Sequence, residues 1–237
     1  MNKRFSFANE AGTSEEYGIR FLSYPAFDFG TEKIESIEVP GRVGTLTRRT
    51  GEYSDTMIEN EIEFKVSSKG EYEQTLSLIR RWLMETKKII YSDMDKYYFR
   101  AKKVSISDIK RKYGIYGILT VVFTCDPIMY LIEGDSEILI TDTLTLINNY
   151  NKSRPIYTIS GEGICEITVN GKIVTANVGQ NITIDTTLMQ TYREDGTLNN
   201  MSITGDYEDL HLQEGENKIS VTSGFELKII PKWGICL

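Results

Sequence analysis

The residues suited to chemistry are few, and their spacing limits what they can do. The 237 residues include one histidine, His211, and three cysteines, Cys125, Cys165 and Cys236. Acid–base catalysis near neutral pH most often uses His, and a structural zinc site needs a close set of Cys or His ligands. Neither need is met. Asp93 and Asp95 form a D-x-D pair such as opens a calcium loop, but Lys96, Tyr97 and Tyr98 follow where another acidic residue and a Gly are required. A polar turn between strands is the simpler reading. Asp206, Glu208 and Asp209 make a second acidic group. Two carboxylates can hydrolyse a glycoside, yet spacing alone does not separate such a pair from the surface of an acidic domain.

Lys102-Lys103 and Lys110-Arg111-Lys112 lie close to Tyr97, Tyr98, Phe99 and Tyr113, the composition of a groove in which aromatics stack on bases. The competing reading is a strand pair with cations outside, aromatics inside and a charged turn. The acidic balance of the chain favours that second reading. His211, between Leu210 and Leu212, reads as the solvent-facing position of a strand. Cys125 and Cys165 sit in strand-like runs and read as buried, inert thiols. An odd count with wide spacing suggests reduced cysteines rather than a disulfide framework. No phosphate-binding Gly loop, nucleophile elbow or metal-spaced Cys/His pattern is present. The sequence makes no site-based case for an enzyme, and no cofactor or metal is expected.

The elements that would carry these residues are mostly strands. Ile34–Val39, Met57–Val66, Tyr97–Val104 and Ile115–Cys125 are rich in β-formers, and Ile58, Ile62, Phe64 and Val66 largely alternate with polar neighbours. One helix is predicted over residues 71–86, with Tyr72, Leu76, Ile79, Trp82 and Leu83 on one face. Ser68 and Glu71 have capping-box spacing, and Lys87 and Lys88 follow at the carbonyl end. From Glu137 onward, short Ile/Thr/Val runs alternate with turns such as Asn170-Gly171 and Asp195-Gly196, the pattern of an antiparallel sandwich. The run Phe225–Ile230, with Pro231-Lys232-Trp233, is expected to close that sandwich, the alternative being that it packs back on the first domain.

With 40% hydrophobic residues, the chain can bury real cores and is not expected to be disordered. Before residue 130 there are 20 basic and 19 acidic residues, net +1; after it there are 7 and 15, net −8, within a whole-chain charge of −7. Such a balance argues against a protein built to coat nucleic acid or an anionic membrane. The first ten residues lack the apolar run of a signal peptide, and the apolar stretch Ile115–Phe123 is far short of a membrane span. A soluble protein is expected. The Asn-x-Ser/Thr triplets at Asn151, Asn181 and Asn200 are expected to arise by chance. Two domains are expected, residues 1–133 and 134–237.

Several segments taken in order resemble the distal tail proteins of siphophages. In the first part these are the Phe5 and Phe7 region, Gly41-Arg42-Val43-Gly44, Arg49-Thr50-Gly51-Glu52-Tyr53, Ile62-Glu63-Phe64, Trp82-Leu83 and Tyr97-Tyr98-Phe99-Arg100-Ala101-Lys102. The run Phe123-Thr124-Cys125-Asp126-Pro127-Ile128-Met129-Tyr130 ends it. In the second part they are Asn148-Asn149-Tyr150, Ser153-Arg154-Pro155, Thr158 to Gly163, Ile167 to Gly171, Ile184-Asp185-Thr186 and Asn200 to Asp206. The resemblance implies a mainly β fold: an N-terminal β-rich, split-barrel-like domain with one α-helix, then a C-terminal galectin-like or carbohydrate-module-like antiparallel β-sandwich.

It implies a non-enzymatic structural protein of the virion tail tip, assembled in the host cytoplasm as a homohexameric ring. That ring would join the major tail (tube) protein to the tail-associated hub protein and present the sandwich as a platform for receptor-binding proteins. DNA would only pass through its channel, and no membrane contact is implied. Lys110, Arg111 and Lys112 are then candidates for ring or channel contacts. The alternative function is a carbohydrate-binding module without catalytic activity, with Tyr192, Tyr207 and Trp233 as sugar-stacking platforms.

Overall fold

Strict alternation sets the inner face of the first core. In the computed structural model, which describes residues 5–236, Thr56, Ile58, Asn60, Ile62 and Phe64 point inward along one strand. Gly117, Leu119, Val121, Phe123 and Cys125 do so along its antiparallel neighbour. The chain forms two units, one running to Met129 and regaining the chain at Cys236, the other spanning Tyr130–Ile235. The fold is mainly β with one α-helix, as the alternation and the single amphipathic segment led us to expect.

The first unit contains β1 (Phe7–Asn9), β2 (Gly12–Thr13), β3 (Ile19–Phe21), β4 (Ala26–Asp28), β5 (Glu32–Ile37), β6 (Leu46–Tyr53) and β7 (Thr56–Lys65). Then come α1 (Tyr72–Met84), β8 (Lys88–Tyr91), β9 (Tyr97–Lys112) and β10 (Tyr116–Leu131), whose last two residues belong to the second unit. The strands form an antiparallel sheet in the order β2-β1-β8-β9-β10-β7-β3, with β4 also on β7; among the described residues β5 and β6 pair only with each other. Phe7, Tyr91, Phe99 and Phe123 fill the core, and Tyr72, Ile79, Trp82 and Leu83 of α1 are buried with them. Gly117 faces Phe64 across the β7–β10 ladder, where a Cβ would lie 2.2 Å from the ring. Only glycine fits there. Asn60 is a buried polar residue of this core whose side chain is satisfied. Its Oδ1 accepts the Tyr91 hydroxyl at 2.8 Å, and its amide donates to the carbonyls of Ile58 and Val121.

The helix start differs from the capping box. A 3-10 turn, Lys69–Glu71, precedes α1, and the Glu71 amide donates to the Ser68 carbonyl at 3.2 Å. Its main-chain donor is therefore already satisfied. The Ser68 hydroxyl donates instead to the Glu71 carboxylate at 3.0 Å, and neither side chain caps a backbone amide. The C-terminal end is held by one side chain from β1: Asn9 donates to the Trp82 carbonyl and to the Thr86 hydroxyl.

The second unit contains β11 (Ile138–Ile140), β12 (Thr143–Asn148), β13 (Ile156–Val169), β14 (Lys172–Asp185), β15 (Gln190–Tyr192), β16 (Ile203–Thr204), β17 (Gly215–Val221) and β18 (Glu226–Ile230). Their order is β11-β18-β13-β14-β15, with β12 on β17, β17 on β13 and β16 on β14. Residues 156–160 of β13 pair with β18 and residues 167–169 pair with β17, so one long strand serves two neighbours. Gly161 lies between those stretches at φ +151°, where a Cβ would lie 2.4 Å from the Phe225 ring. The predicted closing run is β18, hydrogen-bonded to β13 and β11.

His211 departs from its expected place. Leu210-His211-Leu212 is not an alternating strand: a 3-10 turn, Tyr207–Leu210, ends there, and all three side chains are buried. The turn's winding, rather than a period of two, sends the imidazole inward. Cys125 and Cys165 are buried free thiols, and Cys236 is half-buried. Burial pushes the Cys125 thiol up to about 12, with Asp126 and Asp55 adding to the rise.

Candidate functional site

The tip of the β9–β10 hairpin carries the predicted basic cluster. Tyr113 and Gly114 both take positive φ, 52° and 75°, the two-residue turn geometry that suits the twist of an antiparallel pair. Lys110, Arg111, Lys112 and Tyr113 are all exposed there. Arg111 is nevertheless tied down. Its guanidinium lies 4.0 Å from the centre of the Tyr72 ring, donates to the carbonyls of Lys69 and Gly114, and sits 3.5 Å from Glu73. It fastens the hairpin tip to the start of α1, while Lys110 and Lys112 present their charge outward. Burial raises the Tyr72 phenol, and Arg111 opposes that rise.

Lys102, Tyr98 and Phe99 of the same cluster are structural. Lys102 bridges Asp55 at 2.6 Å and Asp126 at 2.8 Å. Burial works against its charge, but the hydrogen bonds it donates to Asp126 and Asp55 outweigh that, so the ammonium sits above its usual range. Tyr98 and Phe99 are buried. Neither can stack on a base. Asp93 and Asp95 lie in the turn between β8 and β9, where the Met94 amide donates to Tyr91 and the Tyr97 amide to Met94.

The β5–β6 hairpin is the larger exposed feature, and only part of its first strand was legible. Ile34, Ile37, Val39, Leu46 and Tyr53 are exposed, and Val43 near its tip is fully so. Ion pairs join its strands, Lys33 to Glu52 at 3.2 Å and Arg49 to Glu32 at 3.6 Å. The signal for it lay in the glycine pair at 41 and 44, both at positive φ, between two runs of alternating charge and β-formers.

In the second unit the three aromatics singled out for stacking are all half-buried. Tyr207 packs on the core with its hydroxyl 3.0 Å from that of Thr191 on β15, one residue from Tyr192. Trp233 also packs on the core, past the end of β18. Strands β13 and β14 separate β18 from β15 in the sheet order, so Trp233 is not on the strand that brings the two tyrosines together. Of the acidic group, Asp209 is paired with Lys172, and Asp206 and Glu208 are exposed.

By sequence, no protein-family model matches the chain, and no curated protein matches it. By structure, solved proteins do. The crystal structure of the SPP1 Dit (gp 19.1) protein, described as a paradigm of the hub adsorption apparatus in Gram-positive infecting phages, aligns with a TM-score of 0.60. The match covers 96% of this chain and 98% of that one at 14% identity. The fold is that of the SPP1 Dit protein. A second match is a chain of the phage P2 baseplate in its activated conformation with Ca, at a TM-score of 0.50, 11% identity and coverage of 97% and 98%. At such identities the agreement is one of fold, and it runs through both units.

Proposed function

We propose that this chain is a structural protein of a phage tail tip, the distal tail ring between the tail tube and the hub. The observation that carries the reading is the end-to-end match of both units to the SPP1 hub protein. The β5–β6 hairpin adds physical support. A lone two-stranded hairpin is marginal in water, and exposed Ile34, Ile37, Val39 and Val43 gain from being covered. A ring of identical subunits would cover them, because each contact in a closed ring joins two different faces of the same chain. In this reading six copies close, the first unit forms the ring, and the second unit points outward to receive receptor-binding proteins. Lys110 and Lys112 remain candidates for contact with a neighbour or with the channel.

The test is the mass of the purified chain by light scattering, with negative-stain images, alone and after mixing with tail-tube and hub proteins. Rings of about six copies are expected, consistent with closed cyclic assembly. A protein that stays monomeric in every mixture overturns the reading. The carbohydrate-module alternative has no specific observation in its favour, since Tyr192, Tyr207 and Trp233 are each half-buried.

A further inference from the structure

His211 is shut into one end of the second unit, 4% exposed, at the close of the 3-10 turn Tyr207–Leu210. Neither Nδ1 nor Nε2 makes a hydrogen bond to the described residues, although the Thr186 backbone lies close enough to favour a charged ring slightly. Three segments meet there. Ser153 exchanges backbone hydrogen bonds with Leu212 at 2.9 and 3.2 Å, and its own hydroxyl is buried without a partner among the described residues. Thr186 is fully buried and donates its hydroxyl to the Pro155 carbonyl at 2.7 Å. The turn itself supplies Leu210, whose carbonyl accepts the buried Tyr157 hydroxyl at 2.7 Å.

The charges around the ring oppose a proton on balance. Lys152 and Arg154, either side of Ser153, repel it. Asp209 favours it, but its carboxylate is paired with the Lys172 ammonium. Asp185, next to Thr186, spends its carboxylate on the amides of Thr187 and Leu188, both at 2.9 Å. Glu208 is exposed on the solvent side of the turn.

We propose that this end of the second unit is an acid-released latch, in which a proton on His211 drives the ring into water and parts Leu212 from Ser153. A buried imidazolium needs an acceptor for each N–H, and the closed site supplies none of good geometry. Burial, with Lys152 and Arg154 behind it, lowers the imidazole from 6.5 to about 4. Because the closed form holds the proton more weakly than the open form, the neutral ring contributes its full stability above the open-state value. That contribution is lost as the pH falls toward the closed-state value. Between about pH 7 and about pH 5 the opening equilibrium should shift by about 20-fold. The inference does not depend on the tail-tip reading.

With one histidine in the chain, the imidazole C–H signals of the intact protein report this group directly. They would be followed by NMR from about pH 8 to about pH 3, a window that covers the ordinary imidazole value and the lowered one. Hydrogen exchange at the Ser153 and Leu212 amides, corrected for intrinsic rates, and urea midpoints for His211→Gln and His211→Phe complete the set. The latch requires titration well below the ordinary value, protection at both amides falling about 20-fold over that interval, and a flatter pH response in the variants. An imidazole that titrates near its ordinary value in the folded protein overturns it. So does equal acid sensitivity in folded variants. Should both variants fail to fold, the wild-type titration and exchange decide alone.

Discussion

Gly117 and Arg111 show how single residues set this structure. Gly117→Ala would place a methyl group within 2.3 Å of the Phe64 ring, which is itself buried. A loss of about 2–3 kcal/mol in urea unfolding is expected from such overpacking. Arg111→Ala removes the guanidinium from the Tyr72 ring and from two carbonyls, and should cost about 1 kcal/mol. Arg111→Lys should recover little of it, since an ammonium cannot reproduce the planar fork. The same measurement checks both. At this scale the sequence was only partly legible. The inward Phe, Ile and Val of β7 and β10 followed from their period, but His211 was misplaced because Leu-His-Leu mimics a strand. The groups that act on its ring, Lys152, Arg154 and Thr186, are distant in sequence. Arg111 carried no sign that one member of a basic run would be held against Tyr72.

Among the elements, α1 and the alternating strands were legible because each repeats its own period over at least two turns or four residues. The β5–β6 hairpin was legible only in part, since it faces no core of its own chain and so shows no clean inside and outside. Its exposed face makes a prediction. Ile37→Glu with Val43→Glu should change the stability of the monomer by less than about 0.5 kcal/mol, as for surface sites generally. The pair should weaken self-association by at least about tenfold, as expected for charges forced into a covered apolar contact. Light scattering across a concentration series checks the association, and urea unfolding checks the stability. Unchanged association would show that the arm lies outside the contact.

For the whole molecule, the uneven charge matters more than its sum. The first part is nearly neutral with both signs interspersed, and the second carries −8. In a ring, each second unit would have like-charged neighbours. Their repulsion is screened over about 8 Å at physiological salt. Assembly should therefore strengthen as salt rises from low to physiological concentration, the reverse of binding driven by opposite charges. Sedimentation at several salt concentrations reads this directly.

The backbone bonds from the Leu131 amide to the Trp233 carbonyl and from the Lys232 amide to the Gly134 carbonyl, both 2.9 Å, have a consequence for connectivity. They hold the segment that enters the second unit beside the one that leaves it, and the chain then returns to the first unit at Cys236. The second unit is thus a cassette spliced in at one doorway. Any module joined through the same pair of connections would need its own two ends side by side.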